Sequence, residues 1–211
     1  SSRFGVDNRY GFFPAGSVGW IVSQENFMDG IENVVSYLKL RASYGITGNS
    51  GIPDYAHLAL YDGVNYAGRN GLQAEQLASN ELGWETTAQF NIGVDFGFFA
   101  NRITGEVDYY NKQTTDLLLY RTLPATSGFT GVWSNVGALE NKGIEIAIHS
   151  NNLVGTFKWT TDFNIAFNQN TVLDVNGPEI SPNGLNYVME GQPIGVWKMR
   201  KYAGVDPDNG D

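Results

Sequence analysis

The chain has 211 residues, 13 basic against 22 acidic for a net charge of −9, no cysteine, and 26 glycines beside 5 Trp, 11 Tyr and 12 Phe. That length suits one domain, and the acidic balance argues against a nucleic-acid partner, which needs a basic face. Without cysteine there is no disulfide framework, thiol nucleophile or cysteine-bound zinc; so many aromatics exclude a disordered chain, and so many glycines a helical bundle.

Apolar and polar residues alternate with a period of two from the start, which predicts strands with two unlike faces. The first strand holds Val18, Trp20 and Val22. Residues 23–28 make a short connection in which Ser23 can cap one helical turn. In the second strand Leu38, Leu40, Ala42, Tyr44 and Ile46 oppose Lys39, Arg41, Ser43, Gly45 and Thr47. A long connection, residues 48–82, follows. The alternation is cleanest over residues 83–98, where Trp84, Phe90, Ile92, Val94, Phe96 and Phe98 share one face and Glu85, Gln89, Asn91 and Asp95 the other. A tight hairpin at residues 99–102 leads to Ile103, Val107 and Tyr109, opposite Thr104, Glu106, Asp108 and Tyr110. Beyond a second long connection, residues 112–134, Ile144, Ile146 and Ile148 oppose Glu145, Ala147 and His149. A hairpin at residues 150–156 precedes Phe157, Trp159, Phe163, Ile165 and Phe167, set against Lys158, Asp162, Asn164 and Asn168. The third long connection, residues 168–193, ends at a seventh strand near residues 194–202, ambiguous in phase.

Six or seven strands with almost no helix make the chain all-β and antiparallel. Short and long connections alternate, so one end of the sheet carries tight turns and the other elaborate loops. Outer-membrane barrels have that asymmetry, with short periplasmic turns and long extracellular loops. The strand at residues 83–98 far exceeds the ~5–6 residues usual in soluble sheets; a tilted membrane strand needs ~9–11. The reading is an up-and-down transmembrane β-barrel segment. Leu38, Leu40, Trp84, Phe90, Ile92, Val94, Phe96, Phe163 and Ile165 then face lipid, while Lys39, Arg41, Glu85, Gln89, Asp95, Glu106 and Asp108 face the lumen. No charge falls on the apolar face of the three clearest strands, where a mid-depth Lys or Arg would cost roughly 2–4 kcal/mol. The alternative is a soluble or surface-exposed carbohydrate-binding β-sandwich, which would pack that face against a second sheet.

Candidate chemistry is sparse. Glu106 with Asp108, and Glu85 with Asp95, are carboxylate pairs on strand faces, but glycoside hydrolysis needs a set separation across a bound sugar, and lumen-wall charge explains them without catalysis. No catalytic residue and no cofactor is expected. Between Asp206 and Asp211 the run Asp-Pro-Asp-Asn-Gly-Asp begins like a calcium loop, but Gly210 stands where an oxygen ligand belongs, so a turn is the plainer reading. The glycine-rich stretch at residues 45–51 lacks the Lys-Ser/Thr of a phosphate loop. His149 reads as a wall residue rather than a metal ligand. In the long loops Tyr55, Tyr61, Asn65, Tyr66, Arg69, Phe129 and Trp133 mix flat rings with polar groups. That mixture suits contact with a glycan or peptide, and equally suits packing of the loops on themselves.

Several motifs also match one family in order: Arg3-Phe4-Gly5, Asn8-Arg9-Tyr10-Gly11, Gly19-Trp20, Leu38-Lys39-Leu40-Arg41-Ala42-Ser43-Tyr44-Gly45, Leu82-Gly83-Trp84-Glu85, Thr115-Asp116-Leu117-Leu118, Leu123-Pro124, Asn135-Val136-Gly137 and Asn141-Lys142-Gly143-Ile144-Glu145. Over essentially its whole length the chain resembles the SusC/RagA family of TonB-linked outer-membrane transporters. The resemblance implies a barrel of about 22 strands plugged by an N-terminal domain. It implies import of oligosaccharides or peptides beneath a SusD-like surface lipoprotein, with energy passed from the TonB complex. Residues 1–211 would be a partial barrel domain, with the plug, the TonB-contacting segment and the closing strand outside them.

Overall fold

The computed structural model describes residues 1–177, 184–202 and 204. Six strands form the main sheet: β1 (Ala15–Ile21), β2 (Val35–Asn49), β5 (Glu85–Phe98), β6 (Ile103–Thr115), β9 (Ala138–Val154) and β10 (Lys158–Asp174). They follow one another in chain order and every neighbouring pair is antiparallel. The sheet is an open up-and-down meander with β1 and β10 as its edges. Within the two long connections lie β3 (Leu60–Tyr66) and β4 (Arg69–Gln76), and β7 (Leu118–Thr122) and β8 (Gly131–Asn135). These hairpins join through a parallel contact at Gln76 and Gly131 into a second sheet, β3-β4-β8-β7.

The register shows why alternation was so legible. Because directly opposed residues project to the same side of a sheet, each cross-strand row has one character. Trp20, Leu40, Val94, Val107, Ile146 and Ile165 form one row across all six strands. Val18, Ala42, Ile92, Tyr109, Ile144 and Phe167 form the next row on that face. On the reverse face Lys39, Asp95, Glu106, Ala147 and Asn164 are aligned, followed by Arg41, Gly93, Asp108, Glu145 and Ala166. A slip of one residue would exchange the two faces completely, so the apolar pattern fixes the register.

The apolar face has a limited height. On β10 it runs from Trp159 to Phe167, a length that matches the ~9–11 residues of a tilted membrane strand. Beyond it, still on the same side, come Asn111, Lys142 and Gln169, aligned across β6, β9 and β10. Lys142 Nζ pairs with Glu140 Oε2 at 2.9 Å, and Asn111 donates to Glu140 at 3.1 Å. The remainder of each long strand therefore continues past the apolar band towards the loops.

Among the described residues no second sheet covers the apolar face: Ile92 is 47% exposed and Phe163 51%. This is not a sandwich, in which those side chains would be buried. The buried core lies instead at the looped end, where Phe4, Ile52, Ala56 and Leu82 cluster with Trp84, Leu118 and Trp133 packed around them.

Two expectations are corrected. The connection after β1 holds two 3₁₀ turns, Val22–Gln24 and Asn26–Met28, and Ser23 caps neither; Ile21 and Glu25 occupy the cap positions without a side-chain bond. Nor does the expected seventh strand join the sheet. Only Val196–Trp197 is extended there, pairing with Asn186–Tyr187 as a separate two-stranded ribbon. A third feature was not anticipated: each of the first two long connections folds its own hairpin.

Candidate functional site

Two surfaces can meet a ligand: the polar face of the main sheet and the cap built by the loops. On the polar face Arg41 of β2 is the organising charge. Its Nε lies 2.8 and 3.0 Å from the two carboxylate oxygens of Asp95 on β5, and Nη2 lies 3.0 Å from Asp108 Oδ2 on β6. Glu106 Oε2 is 3.7 Å from the same nitrogen. Arg41 and Asp108 sit on strands that are not neighbours, and Gly93 of β5 lies between them. A Cβ at position 93 would stand 2.2 Å from Asp108 Oδ1 and 3.0 Å from Arg41 Cζ. Glycine leaves room for the guanidinium to cross directly over the backbone, and a larger residue would have to push the ends of the Arg41 and Asp108 side chains aside.

Polar side chains continue the wall towards the loops. Asn91 donates to Ser43 at 3.2 Å, Gln89 donates to Asn91 at 3.0 Å, and the Thr87 and Thr114 hydroxyls meet at 2.9 Å. The Tyr110 hydroxyl donates to Asn168 at 2.9 Å, its ring lying over Gly143. At the turn end His149 Nδ1 is 2.6 Å from Asp162. Of the residues expected on this face, Lys39, Arg41, Gln89, Asp95, Glu106 and Asp108 stand in these rows. Glu85 stands apart at the loop rim, accepting from Asn49 at 3.0 Å and from the Leu118 backbone N–H at 3.2 Å. The two supposed carboxylate pairs are thus redistributed: three acids share Arg41 and the fourth secures a loop. Among the described residues no group of three or more His, Asp or Glu could hold a metal ion. The acidic run from Asp206 to Asp211 lies outside the described residues.

The cap is assembled from distant segments. Phe4, ahead of β1, is fully buried, with its ring 5.1 Å from Trp84. Arg3 donates to the Ser50 carbonyl at 2.7 Å and pairs with Asp54 at 3.0 Å, while His57 Nδ1 meets the Arg3 carbonyl at 2.9 Å. Gln76, buried, donates to the carbonyls of Ala56 and Leu58 at 3.0 and 2.7 Å. Asn135 clamps two loops at once: its Oδ1 accepts from the Gly83 N–H at 2.7 Å, and its Nδ2 donates to the Gly83 and Asp116 carbonyls at 3.0 Å each.

Trp84 departs from the expectation of a lipid-facing side chain. It precedes β5 and packs between Phe4 and Phe13, in the cap's core. The seven candidate contact residues are also divided. Trp133 on β8 packs against that core, with its ring tilted against Tyr120 at 5.5 Å between centroids, which makes it structural. Asn65 accepts from the Gly68 N–H at 2.9 Å and shapes the β3–β4 turn, where Tyr66 pairs with Arg69 through the backbone. Phe129 is half-buried in the β7–β8 turn. Tyr55, Tyr61 and Arg69 remain open to solvent. Missing from the sequence-based candidates were Phe4, Gln76 and Asn135, which hold the cap together. Phe4 and Asn135 stand inside motifs read there as family marks, and no periodicity signalled Gln76.

An apolar-faced meander with a polar reverse face and a packed cap of loops is the architecture of an outer-membrane barrel wall. The sequence model described as "TonB dependent receptor-like, beta-barrel" matches residues 1–210, and the chain belongs to that family. It is 41% identical to TonB-dependent receptor P39 of Formosa agariphila over 207 residues, 97% of this chain and 20% of that protein. It is 39% identical to TonB-dependent receptor SusC of Bacteroides thetaiotaomicron over 191 residues, 86% of this chain and 19% of that one. Among solved structures, the RagAB peptide transporter superposes with a TM-score of 0.88 at 31% identity, over 97% of this chain and 23% of that chain. The RagAB peptide importer in its open-open state gives 0.84 at 31% identity, over 98% and 23%. The chain thus spans about a fifth of the curated relatives it matches, and the SusC/RagA resemblance stands. By name these relatives are receptors and transporters.

Proposed function

We propose that this chain is a sector of the wall of an outer-membrane importer. Its apolar face, including Leu38, Leu40, Phe90, Ile92, Val94, Phe96, Phe163 and Ile165, meets acyl chains. Its polar face, with Arg41 and its three acids, looks into the lumen, and the loop cap lies outside the cell. The cargo is an oligosaccharide or a peptide, taken up beneath a SusD-like lipoprotein and driven by the TonB complex through parts of the protein outside these residues. The observation that carries this reading is the pair of apolar rows running unbroken across all six strands. An uncovered apolar patch of that extent marks a membrane or protein contact. Its height, ended by the Lys142–Glu140 pair, suits a bilayer.

The test is a pair of substitutions in the full-length transporter. Ile92→Arg, on the apolar face, is expected to cost about 2–4 kcal/mol and block membrane assembly. Gln89→Arg, on the polar face of the same strand, is expected to assemble normally. Equal damage from both would overturn the assignment of faces.

A further inference from the structure

We infer that Tyr55 is a fixed stacking platform in the loop cap, held ready for a pyranose ring of an uncharged oligosaccharide. Its backbone stands at a φ of 63°, in the left-handed region that an aromatic residue rarely occupies. The other non-glycine residues found there, among those described, have ordinary reasons. Ala67 closes the β3–β4 hairpin, and Phe99, Ala100 and Asn101 close the β5–β6 hairpin. Asp116 and Asn176 carry short polar side chains that tolerate the conformation. Tyr55 closes no hairpin. The turn bond at this place runs from the Leu58 N–H to the Tyr55 carbonyl, so Tyr55 is the first residue of its turn, a position that asks for no left-handed φ.

The surroundings impose this backbone. Ala56, next in the chain, is fully buried and Ile52 nearly so. Gln76, itself buried, donates to the carbonyls of Ala56 and Leu58 and reaches that of Tyr55 at 3.5 Å. On the other flank Asp54 is tied to Arg3, and the His57 ring meets the Arg3 carbonyl. With the residues on both sides tied down, the Tyr55 side chain stands outward, 62% exposed, and its ring and hydroxyl meet no ring or hydrogen-bond partner among the described residues. Glycine would adopt the same backbone without strain, so the ring is not there for the stability of the cap. Strain that the surroundings over-determine collects where ligands are held, and a preorganised tyrosine offers a broad face at little cost in entropy. The ligand class follows from the neighbour. The Asp54 side chain is 72% exposed and its charge is balanced by Arg3. Beside the aromatic face it presents a hydrogen-bond acceptor with no net attraction for a cation or an anion, which suits the C–H face and hydroxyls of an uncharged sugar.

This inference rests on the cap lying outside the cell, so the experiment reports on both. In the full-length transporter on intact cells, Asp62→Cys on β3 is expected to react with a membrane-impermeant maleimide; no reaction would overturn the extracellular cap itself. The purified transporter is then titrated on an array of maltoheptaose, cellohexaose, mannohexaose and xylohexaose, with oligogalacturonate and lysine-rich peptides as charged probes. Capture of an uncharged oligosaccharide is expected, weakened about tenfold or more by Tyr55→Ala and less than about threefold by Tyr55→Phe, which keeps the ring. Tyr55→Gly should weaken it as Tyr55→Ala does while slowing hydrogen exchange at residues 50–58, the mark of relieved strain. No capture of an uncharged probe, capture that Tyr55→Ala and Tyr55→Gly leave unchanged, or faster exchange in Tyr55→Gly overturns the platform and leaves the wall intact. Tyr55-dependent capture of the charged probes alone would overturn the assignment to an uncharged sugar.

Discussion

The main sheet and the loop cap handle apolar surface in opposite ways. In the sheet, apolar side chains stand in ordered rows on one face and are left uncovered by the chain itself. In the cap, Phe4, Ile52, Ala56 and Leu82 are drawn from segments far apart in sequence and are almost completely buried. The sheet leaves its apolar rows uncovered among the described residues, the surface proposed above to meet lipid, whereas the cap has a buried core of its own. The difference teaches that one side of a long strand can change character along its length. β9 bears Ile144, Ile146 and Ile148 in one part, and Glu140 with Lys142 on the same side in the other.

The contrast breaks most visibly at Phe4. Phe4→Ala should cost the cap about 3–5 kcal/mol, the usual range for deleting a buried ring. Hydrogen exchange should then quicken at residues 50–58 and 76–84 with little change in β5 and β6; uniform acceleration would mean that cap and sheet are one cooperative unit. A smaller loss is expected from Asn135→Ala. It removes side-chain bonds to Gly83 and Asp116 and leaves partly buried backbone groups unpaired, at about 1–3 kcal/mol. Protease sensitivity should rise near Gly83 and Asp116 and nowhere on the sheet.

How much of this was legible in the sequence follows from the same division. The faces of the sheet were readable because a period of two is local information, and the registry of Leu40, Val94, Val107 and Ile146 simply aligns it. The cap was not readable, because its core joins single residues such as Phe4 and Leu82 that belong to no periodic run. Trp84 was misjudged for that reason: its phase matched β5, but the strand begins one residue later and the ring turns to Phe4. Gly93 shows the converse. It keeps the polar phase of β5 without a side chain of its own, and only the structure shows Arg41 reaching Asp108 across it.

Two finer changes sharpen the contrast. Arg41→Met removes the ion pairs of a side chain 35% exposed on the polar face and leaves three carboxylates together, and should cost about 1 kcal/mol, less with added salt. A thermal-melt comparison at two salt concentrations in detergent checks it. The smallest effect belongs to Trp84→Phe. The indole Nε1 is buried with no hydrogen-bond partner among the described residues. Deleting an orphaned donor offsets much of the lost ring area, so a net change within about 1 kcal/mol is expected. A much larger loss would show that the indole nitrogen has a bound partner.

The most direct test of the lipid-facing wall is a scan along β10. A bimane fluorophore is attached at each position from Asp162 to Phe167 in turn, in the full-length transporter reconstituted with brominated lipid. Quenching that is strong at Phe163, Ile165 and Phe167 and weak at Asp162, Asn164 and Ala166 is the predicted result. Uniform quenching, or none at the three apolar positions, would contradict it.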